Sequence, residues 1–221
     1  DIDERCRKVL ALKYWAGLAR SSDIGVSGLT SEINTPQVKA LIQELYAAAI
    51  TVLNNDQNII PVRNLNTTRI ATVAVGRNEI TAFQDRISSY TKATHFTVEN
   101  ISDTLIARLS EDLAAFDLVI AGVYGPDRVP TSYRAGSEIN KLIRKINNTT
   151  KCISVWFGNS YLAGTIGALS ESDGLVVTYQ NNTVTEDLAA QMLFGGIGAR
   201  GKLPVTISDK YRAGCGLITP A

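Results

Sequence analysis

One stretch of the sequence has the residue types of a phosphate-binding loop. Residues 195–204 read GGIGARGKLP, and from Gly196 onward the string differs at one residue from the pattern G-x-x-x-x-G-K-[ST]. In that pattern the loop amides hold the phosphates, the lysine reaches the terminal phosphates and the final hydroxyl binds Mg²⁺. Leu203 stands where the hydroxyl residue would be. The nearby stretch AVGRN at 74–78 follows a predicted strand but lacks the spaced glycines of a dinucleotide-binding loop.

The elements around GGIGARGKLP are the wrong ones for a nucleotide site. A phosphate loop follows a buried strand and opens a helix, so that the loop amides and the helix N-terminus face the phosphates. The sequence instead predicts a helix before Gly195, and Pro204 prevents a helix from starting directly after the loop. We therefore interpret Gly195 as the left-handed residue that ends the helix. Gly198 and Gly201 would then form a tight turn into an edge strand at 203–207.

The single histidine and the three cysteines offer little chemistry. His95 lies in the run ATHFTV, which is typical of a short strand, so we interpret it as a structural side chain. Cys6, Cys152 and Cys215 are far apart, and the sequence contains no C-x-x-C pair. We predict neither a metal site nor a disulfide framework, and no cofactor.

Two aspartates were weighed for a phosphoacceptor site of the receiver type. Such a site needs a carboxylate at the carboxyl end of a central strand. Asp117 and Asp173 instead precede the apolar runs of their predicted strands, FDLVI and SDGLVV. They belong to the opposite edge of the sheet, and we predict that they cap strands or neighbouring helices.

Apolar runs alternate with helical patterns along most of the chain. The predicted strands are 69–75, 94–98, 118–123, 152–157 and 174–179. The predicted helices between and after them are 79–90, 102–115, 135–147, 160–168 and 183–194, the last opened by a capping box of Thr183 and Glu186. The strands are rich in Ile, Val and Leu throughout, as expected when helices cover both faces of a sheet. This order predicts an α/β fold: a doubly wound, mainly parallel sheet of five or six strands sandwiched between helices.

The N-terminal part of the chain has a different pattern. Residues 1–20 predict an amphipathic helix, and 21–35 are polar and loop-like. Thr35-Pro36 is a helix start, because a hydroxyl cap precedes a proline at the first helical position. The apolar stripe of this helix continues to Val52 and is followed by the turn NNDQN.

Charge and hydropathy exclude some classes of partner. The chain has 22 Lys and Arg against 21 Asp and Glu, so it has no electrostatic footprint for nucleic acid. No apolar run reaches the ~18 residues that a membrane span requires.

Several stretches together resemble the C-terminal α/β domain of family 3 glycoside hydrolases. ELYAAAITVLNN at 44–55, followed by IPV at 60–62, is similar to the family's "V-L-L-K-N" helix end and its "L-P-L". FDLVIAG at 116–122 resembles its third-strand region. The most specific match is 191–207, which resembles the signature "L-F-G-x-x-x-P-x-G-K-L-P-V-T" with Ala199 in place of the usual proline.

The resemblance implies a domain organisation. The helix 1–20 resembles the last helix of the family's N-terminal catalytic barrel, which would be the partner of this chain in one polypeptide. Residues 21–35 would be a linker, 36–208 the α/β sandwich domain and 209–221 a tail or connector. From the family we also expect an exported protein, periplasmic or extracellular.

The family hydrolyses β-linked glycosides with retention, through a carboxylate nucleophile and an acid/base. By resemblance the nucleophile lies in the barrel. In many β-glucosidases of the family the acid/base glutamate follows the strand that corresponds to 118–123, but here no glutamate occurs before Glu138. The β-N-acetylglucosaminidase type instead uses a histidine–aspartate pair on the barrel. We therefore assign no catalytic residue to this chain, with Asp127 as the alternative proton donor.

The loop after 118–123 carries more aromatic and charged residues than the other predicted loops. Its candidate substrate-lining residues are Tyr124, Asp127, Arg128, Tyr133 and Arg134. The tyrosines would stack on a carbohydrate substrate and the charged groups would bind its hydroxyls; the alternative is an ordinary solvent loop. Residues 179–183, YQNNT, form a second candidate rim. The alternative to a hydrolase domain is a stand-alone ligand-binding or interaction module.

Overall fold

The computed structural model describes residues 1–19, 25–129 and 135–221, which divide into two compact units, Asp1–Ala40 and Leu41–Ala221. The first unit contains helices α1 (Ile2–Trp15) and α2 (Leu29–Ile33) and the start of α3 (Pro36–Ala49). The predicted helix start at Thr35 is confirmed, because the Thr35 hydroxyl accepts a hydrogen bond from the Val38 N–H at 3.3 Å. Among the described residues, no helix is long and apolar enough to cross a bilayer.

The second unit is built on one sheet of six strands. The strands are β1 (Thr51–Asn55), β2 (Ile70–Val75), β3 (Ala93–Val98), β4 (Leu118–Tyr124), β5 (Lys151–Phe157) and β6 (Gly174–Val177). Their order in the sheet is β1-β6-β5-β4-β2-β3, and every neighbouring pair is parallel except β1 with β6. The predicted α/β class and mainly parallel sheet are confirmed.

Helices cover both faces of this sheet. They are α4 (Ala82–Ser88), α5 (Asp103–Leu113), α6 (Ala135–Asn147), α7 (Ser160–Ala163) and α8 (Thr183–Leu193). The side chains of α5, α6 and α7 pack in one apolar cluster, and those of α4 and α8 in another. Strand β4 supplies both clusters in alternation: Val119, Ala121 and Val123 face the first, and Leu118 and Ile120 the second. This double burial explains the near-continuous apolar runs of the sequence.

The sixth strand differs from the one predicted. Residues 203–207 form no strand, because their backbone pairs with the turn that follows: Leu203 donates to the Cys215 carbonyl and Ile207 to that of Tyr211. The antiparallel edge strand is β1, in a stretch where the helical stripe was predicted to continue to Val52. Helix α3 ends at Ala49, since the β-branched residues that follow pair with β6.

The segment 209–221, for which we predicted a tail or connector, packs on the folded unit. Leu217 donates a backbone hydrogen bond to Val52 of β1 at 2.7 Å. Thr219 is buried, and its hydroxyl accepts from the Ala199 N–H at 2.9 Å. The last residues therefore cover the outer edge of the sheet beside β1.

Two local predictions around glycines have opposite outcomes. Gly195 has φ of 76° directly after α8, so its role as the left-handed helix stop is confirmed. The helix predicted at 160–168 is wrong in length: α7 ends at Ala163, and a 3-10 turn, Gly167–Glu171, follows. A Cβ at Gly164 would lie 2.0 Å from the Ile207 carbonyl oxygen, so the chain leaves the helix where it meets another segment.

Candidate functional site

The topology places a switch point between the carboxyl ends of β2 and β4. From β2 the chain moves outward to β3 and then returns to form β4 on the other side of β2. The helices that follow these two strands, α4 and α6, lie on opposite faces of the sheet. In doubly wound sheets, ligands bind at such a switch point. Here it carries Gly76-Arg77 after β2 and Tyr124-Gly125 at the end of β4.

Tyr124 is buried at this switch point. Tyr124 is only 6% exposed, and its ring stacks on that of Phe157 with the two ring centroids 4.9 Å apart. Its hydroxyl donates to Glu186 Oε2 at 3.4 Å. Burial, with the nearby Glu186 charge, raises the pKa of Tyr124. The tyrosine that we predicted to line the substrate is therefore a buried ring at the carboxyl edge of the sheet, and it supports the residues above it.

Glu186 is a buried carboxyl group that joins α8 to α4. The residue is 6% exposed, and Oε2 also accepts from the backbone N–H of Phe83 in the first turn of α4 at 3.1 Å. Burial raises the pKa of Glu186, against the lowering effects of the Phe83 N–H and the Arg77 charge. The carboxyl thus satisfies a helix N–H and holds the Tyr124 hydroxyl.

The capping box predicted for α8 is wrong by one residue. Asn182 is the N-cap and accepts from the N–H groups of Val184 and Thr185, while the Thr185 hydroxyl pairs with the Asn182 N–H. Because the N-cap lies one residue earlier than predicted, Glu186 falls past the capping box. It faces inward on the same side as Ala189 and Ala190.

Arg77 lies over the Tyr124 ring. Its guanidinium carbon is 4.2 Å from the ring centroid, within the range of a cation–π contact. Nη1 donates to the Gly76 carbonyl at 3.0 Å, and Nη2 donates to Asn181 Oδ1 at 2.7 Å. Within the part of the chain that the structure describes, Arg77 forms no ion pair.

Asp127 joins three loops at the same edge. Its Oδ1 accepts from the Asn181 N–H at 2.9 Å, and its carbonyl oxygen accepts from Asn159 Nδ2 at 3.2 Å. The loops after β4, β5 and β6 are thereby connected, and Asn181 connects them further to Arg77. We call Arg77, Asp127 and Asn181 the polar rim. Arg128 is exposed beside it.

Tyr133 and Arg134, the remaining predicted lining residues, lie outside the described residues.

The second candidate rim, 179–183, is divided between two places. Asn181 belongs to the polar rim, whereas Tyr179 turns the other way with φ of 68°, and its hydroxyl hydrogen-bonds with that of Thr51 at 2.6 Å. Tyr179 and Gln180 line a cavity of about 540 Å³ together with Tyr46 and Lys202. The two halves of YQNNT therefore face different surfaces.

The remaining candidate groups have structural partners. The His95 nitrogens lie 2.7 Å from the hydroxyls of Thr72 and Ser88, and burial lowers the pKa of the imidazole, so its structural interpretation is confirmed. Glu138 lies in the first turn of α6, where the Ser137 hydroxyl lowers its pKa. Among the residues described, no group of three His, Cys, Asp or Glu side chains is placed to hold a metal ion.

The phosphate-loop interpretation of GGIGARGKLP is excluded by its surroundings. Helix α8 precedes the loop, no helix follows it, and Lys202 Nζ donates to the Gly216 carbonyl. The aspartates weighed for a receiver site lie at the other edge: Asp117 accepts from the Arg69 backbone N–H, and Asp173 from that of Cys152. Their predicted capping role is confirmed.

Comparison with known proteins finds its matches among solved structures. No protein-family model matches the chain, and no curated protein sequence does. A glycoside hydrolase family 3 β-N-acetylglucosaminidase from a Paenibacillus species matches 94% of this chain over 39% of its own, with TM-score 0.63 and 17% identity. A fungal multi-domain β-N-acetylglucosaminidase of the same family matches 87% over 21% of its chain, with TM-score 0.64 and 20% identity.

A third match is a β-glucosidase from Listeria innocua, which shares 13% identity over 83% of this chain and 28% of its own, with TM-score 0.64. The chain therefore spans at most two fifths of these enzymes. At such low identity the comparison establishes a shared fold, and the resemblance predicted from the sequence is confirmed at that level.

Sequence reasoning missed two residues of the site. Gly76-Arg77 follows a buried strand, and this position indicates that Arg77 lies at the carboxyl edge of the sheet. No neighbouring residue in the sequence indicates that the Tyr124 ring supports it. Glu186 shares a helical face with Ala189, Ala190 and Leu193, and this spacing could have indicated a buried carboxyl group.

Proposed function

We propose that this chain is the C-terminal α/β domain of a family 3-like glycoside hydrolase, and that it shapes the substrate cleft without supplying a catalytic group. The observation that carries the proposal is the extent of the fold likeness. It covers 94% of this chain but 39% of the Paenibacillus enzyme, as expected for one domain of a larger hydrolase. The rest of the polypeptide would include the catalytic barrel, which is the partner of this domain.

The carboxyl groups of the domain support a role without proton transfer. A general acid of a glycosidase works with a raised pKa next to the glycosidic oxygen. The pKa of Glu138 is lowered, and Asp127 accepts a hydrogen bond from a backbone N–H. Glu186 has a raised pKa, but it is only 6% exposed. Glu138 therefore lacks the raised pKa of a proton donor, and Glu186 lacks the exposure.

We propose β-N-acetylglucosaminides as the substrates of the complete enzyme. Two of the matched structures are β-N-acetylglucosaminidases by name. The absence of a glutamate from 124–137 supports the same subgroup, whose acid/base would lie on the barrel.

The proposal is tested by comparing the 221-residue chain with the longest polypeptide that its gene encodes. We expect the longer product to release nitrophenol from 4-nitrophenyl N-acetyl-β-D-glucosaminide and the chain alone to release none. In the longer product, Asp127→Asn should change KM while leaving kcat within about threefold, because the residue would bind but not react. The matched control is Asp173→Asn at the other edge, which should change neither constant.

Two results would overturn the proposal. Turnover by the 221-residue chain that Asp127→Asn abolishes would make the domain catalytic. A longest product that encodes no barrel and hydrolyses no glycoside would favour the stand-alone binding module instead.

A further inference from the structure

We propose that Arg77 is a ligand-contacting residue of the polar rim, that it binds adjacent hydroxyl groups of a neutral sugar, and that Tyr124 and Glu186 position it without touching the ligand. The kind of ligand rests on the proposed function. The assignment to Arg77 rests on the contacts at the switch point.

Arg77 has hydrogen-bond donors left over. A guanidinium group carries five N–H donors. Two contacts are formed by Arg77, one to the Gly76 carbonyl and one to Asn181 Oδ1, and both acceptors are uncharged. Among the described residues, no carboxylate lies within ion-pair distance of its guanidinium group. The side chain is half-buried at the switch point, so its remaining donors are held at the place where a ligand of this fold class binds.

The platform under Arg77 fixes where those donors lie. The Tyr124 ring carries the guanidinium at 4.2 Å, Phe157 stacks beneath that ring, and Glu186 holds the Tyr124 hydroxyl. Asn181 fixes one end of the guanidinium from the side. A long side chain that is already held in one conformation loses less entropy when it binds a ligand. Tyr124 has no ring face left for a sugar, because the residue is only 6% exposed.

The rim offers donors and acceptors together, which suits hydroxyl groups. Arg77 and Asp127 are bridged by one residue, since Asn181 accepts from Arg77 with its side chain and donates to Asp127 with its backbone N–H. A sugar hydroxyl both donates and accepts, so adjacent hydroxyls can accept from Arg77 and donate to the Asp127 carboxylate. An anion would be attracted by the Arg77 charge but repelled by the Asp127 carboxylate. The geometry therefore favours a neutral diol.

The test is a titration of the isotopically labelled 221-residue chain followed by NMR. The probe is methyl N-acetyl-β-D-glucosaminide, with methyl β-D-glucoside as a second sugar and sodium phosphate as the anion. We expect both sugars to shift the Arg77 side-chain N–H signal and the Asn181 amide, and phosphate to leave them in place. Arg77→Gln should weaken sugar binding at least about tenfold, as expected for losing hydrogen bonds from a charged group.

Arg69→Gln is the matched control. Arg69 precedes β2 at the opposite edge of the sheet, and its charge is already paired with Asp117. The substitution removes the same group from the same part of the chain, and sugar binding should stay within about twofold. Equal losses for Arg69→Gln and Arg77→Gln would overturn the proposal, since they would reflect net charge or stability.

Two changes at Tyr124 separate positioning from contact. Tyr124→Phe keeps the ring and removes the hydroxyl, so sugar binding should stay within about twofold. Tyr124→Leu removes the platform and should weaken binding about three- to tenfold in a chain that is still folded by circular dichroism. A loss with Tyr124→Phe as large as that with Arg77→Gln would mean that the hydroxyl contacts the sugar, which contradicts the positioning role.

The outcomes distinguish this inference from the proposed function. Sugar shifts at Asp127 and Asn159 that leave Arg77 unmoved would overturn the Arg77 assignment while supporting a carbohydrate-facing edge. Shifts of the Arg77 and Asn181 signals with phosphate, and none with either sugar, would overturn the assignment of a neutral diol as the ligand. No shift with any probe would also overturn the inference, whereas the hydrolase proposal is decided separately by turnover of the longer polypeptide.

Discussion

The charged groups at the two edges of the sheet have different partners. At the amino edge, Arg69 pairs with Asp117 through Nη2 at 2.7 Å and Nε at 3.1 Å. The same aspartate accepts from the Arg69 backbone N–H at 2.9 Å, and Asp173 accepts from the Cys152 N–H at 2.8 Å. These carboxylates are used within the fold and join neighbouring strands.

At the carboxyl edge, the charged groups rest on an aromatic base. Phe83, Phe157 and Tyr124 pack with centroids 5.2 and 4.9 Å apart, and Arg77 lies on top. Its neighbours take only part of its hydrogen-bonding capacity. A charged side chain therefore does not by itself indicate a binding site. The ion pair at the amino edge joins neighbouring strands, whereas Arg77, which is in no ion pair among the described residues, keeps hydrogen-bond donors available for a ligand.

The largest effect should come from the aromatic base. Phe157→Ala removes a fully buried ring, and we expect it to lower the free energy of unfolding by about 4 kcal/mol, measured by chemical denaturation. The control is Phe116→Ala at the amino edge, where the ring is half-buried and the loss should be about 1.5 kcal/mol. Equal losses would contradict the view that only the carboxyl edge depends on a packed aromatic base.

Glu186 should give the next largest effect. Glu186→Ala leaves the Phe83 N–H and the Tyr124 hydroxyl without their acceptor, and we expect a loss of about 2 kcal/mol. Glu186→Gln keeps one oxygen that can accept from both the Phe83 N–H and the Tyr124 hydroxyl, so the change should stay within about 0.5 kcal/mol. If both variants lost the same stability, the hydrogen bonds would not be what the carboxyl contributes.

The same pair of variants gives a pH test. Burial raises the pKa of Glu186 above its ordinary value of 4.5, so the folded state binds the proton more tightly than the unfolded state. The stability linked to this proton is complete below pH 4.5 and is lost as the pH rises through the raised pKa. Chemical denaturation should therefore show that the free energy of unfolding of Glu186→Gln rises relative to that of the native chain between pH 4 and pH 7. A constant difference would contradict the raised pKa.

The sequence predicted the sheet because its signal is local. Four strands, β2, β4, β5 and β6, are buried almost throughout. The start of α3 at Thr35 and the stop of α8 at Gly195 are likewise set by the residues that form them. Strand β1 escaped prediction because Ile50, Val52 and Leu53 continue the apolar stripe of α3. Only pairing with β6, far along the chain, decides that they form a strand.

The site was less predictable because its support is assembled from distant segments. The edge and Asp127 follow from strand order, but the platform of Arg77 comes from β4, β5 and α8. Glu186 shows how a small boundary error changes a role. With Thr183 as N-cap it would be a capping residue, and with Asn182 it becomes a buried support.

Asp173 should give a smaller effect than Glu186. Asp173→Ala leaves the N–H of buried Cys152 without its acceptor, and we expect a loss of about 1 kcal/mol by chemical denaturation. Asp173→Asn retains an acceptor oxygen and should lose less than about 0.5 kcal/mol. Neither variant should alter sugar binding. A change in sugar affinity would mean that the amino edge also communicates with the ligand.

Asp117 should give the smallest effect, and one that disappears in acid. Hydrogen bonds from Arg69 lower the pKa of Asp117 from 3.8 to about 2, so the folded state holds the charged form more firmly than the unfolded state. The resulting stability is present above pH 3.8 and is lost as the pH falls through about 2. The pair is exposed, which keeps the contribution small. Thermal denaturation of the native chain and Asp117→Asn should therefore converge between pH 4 and pH 2, and curves that stay parallel would show that the pair adds nothing to the amino edge.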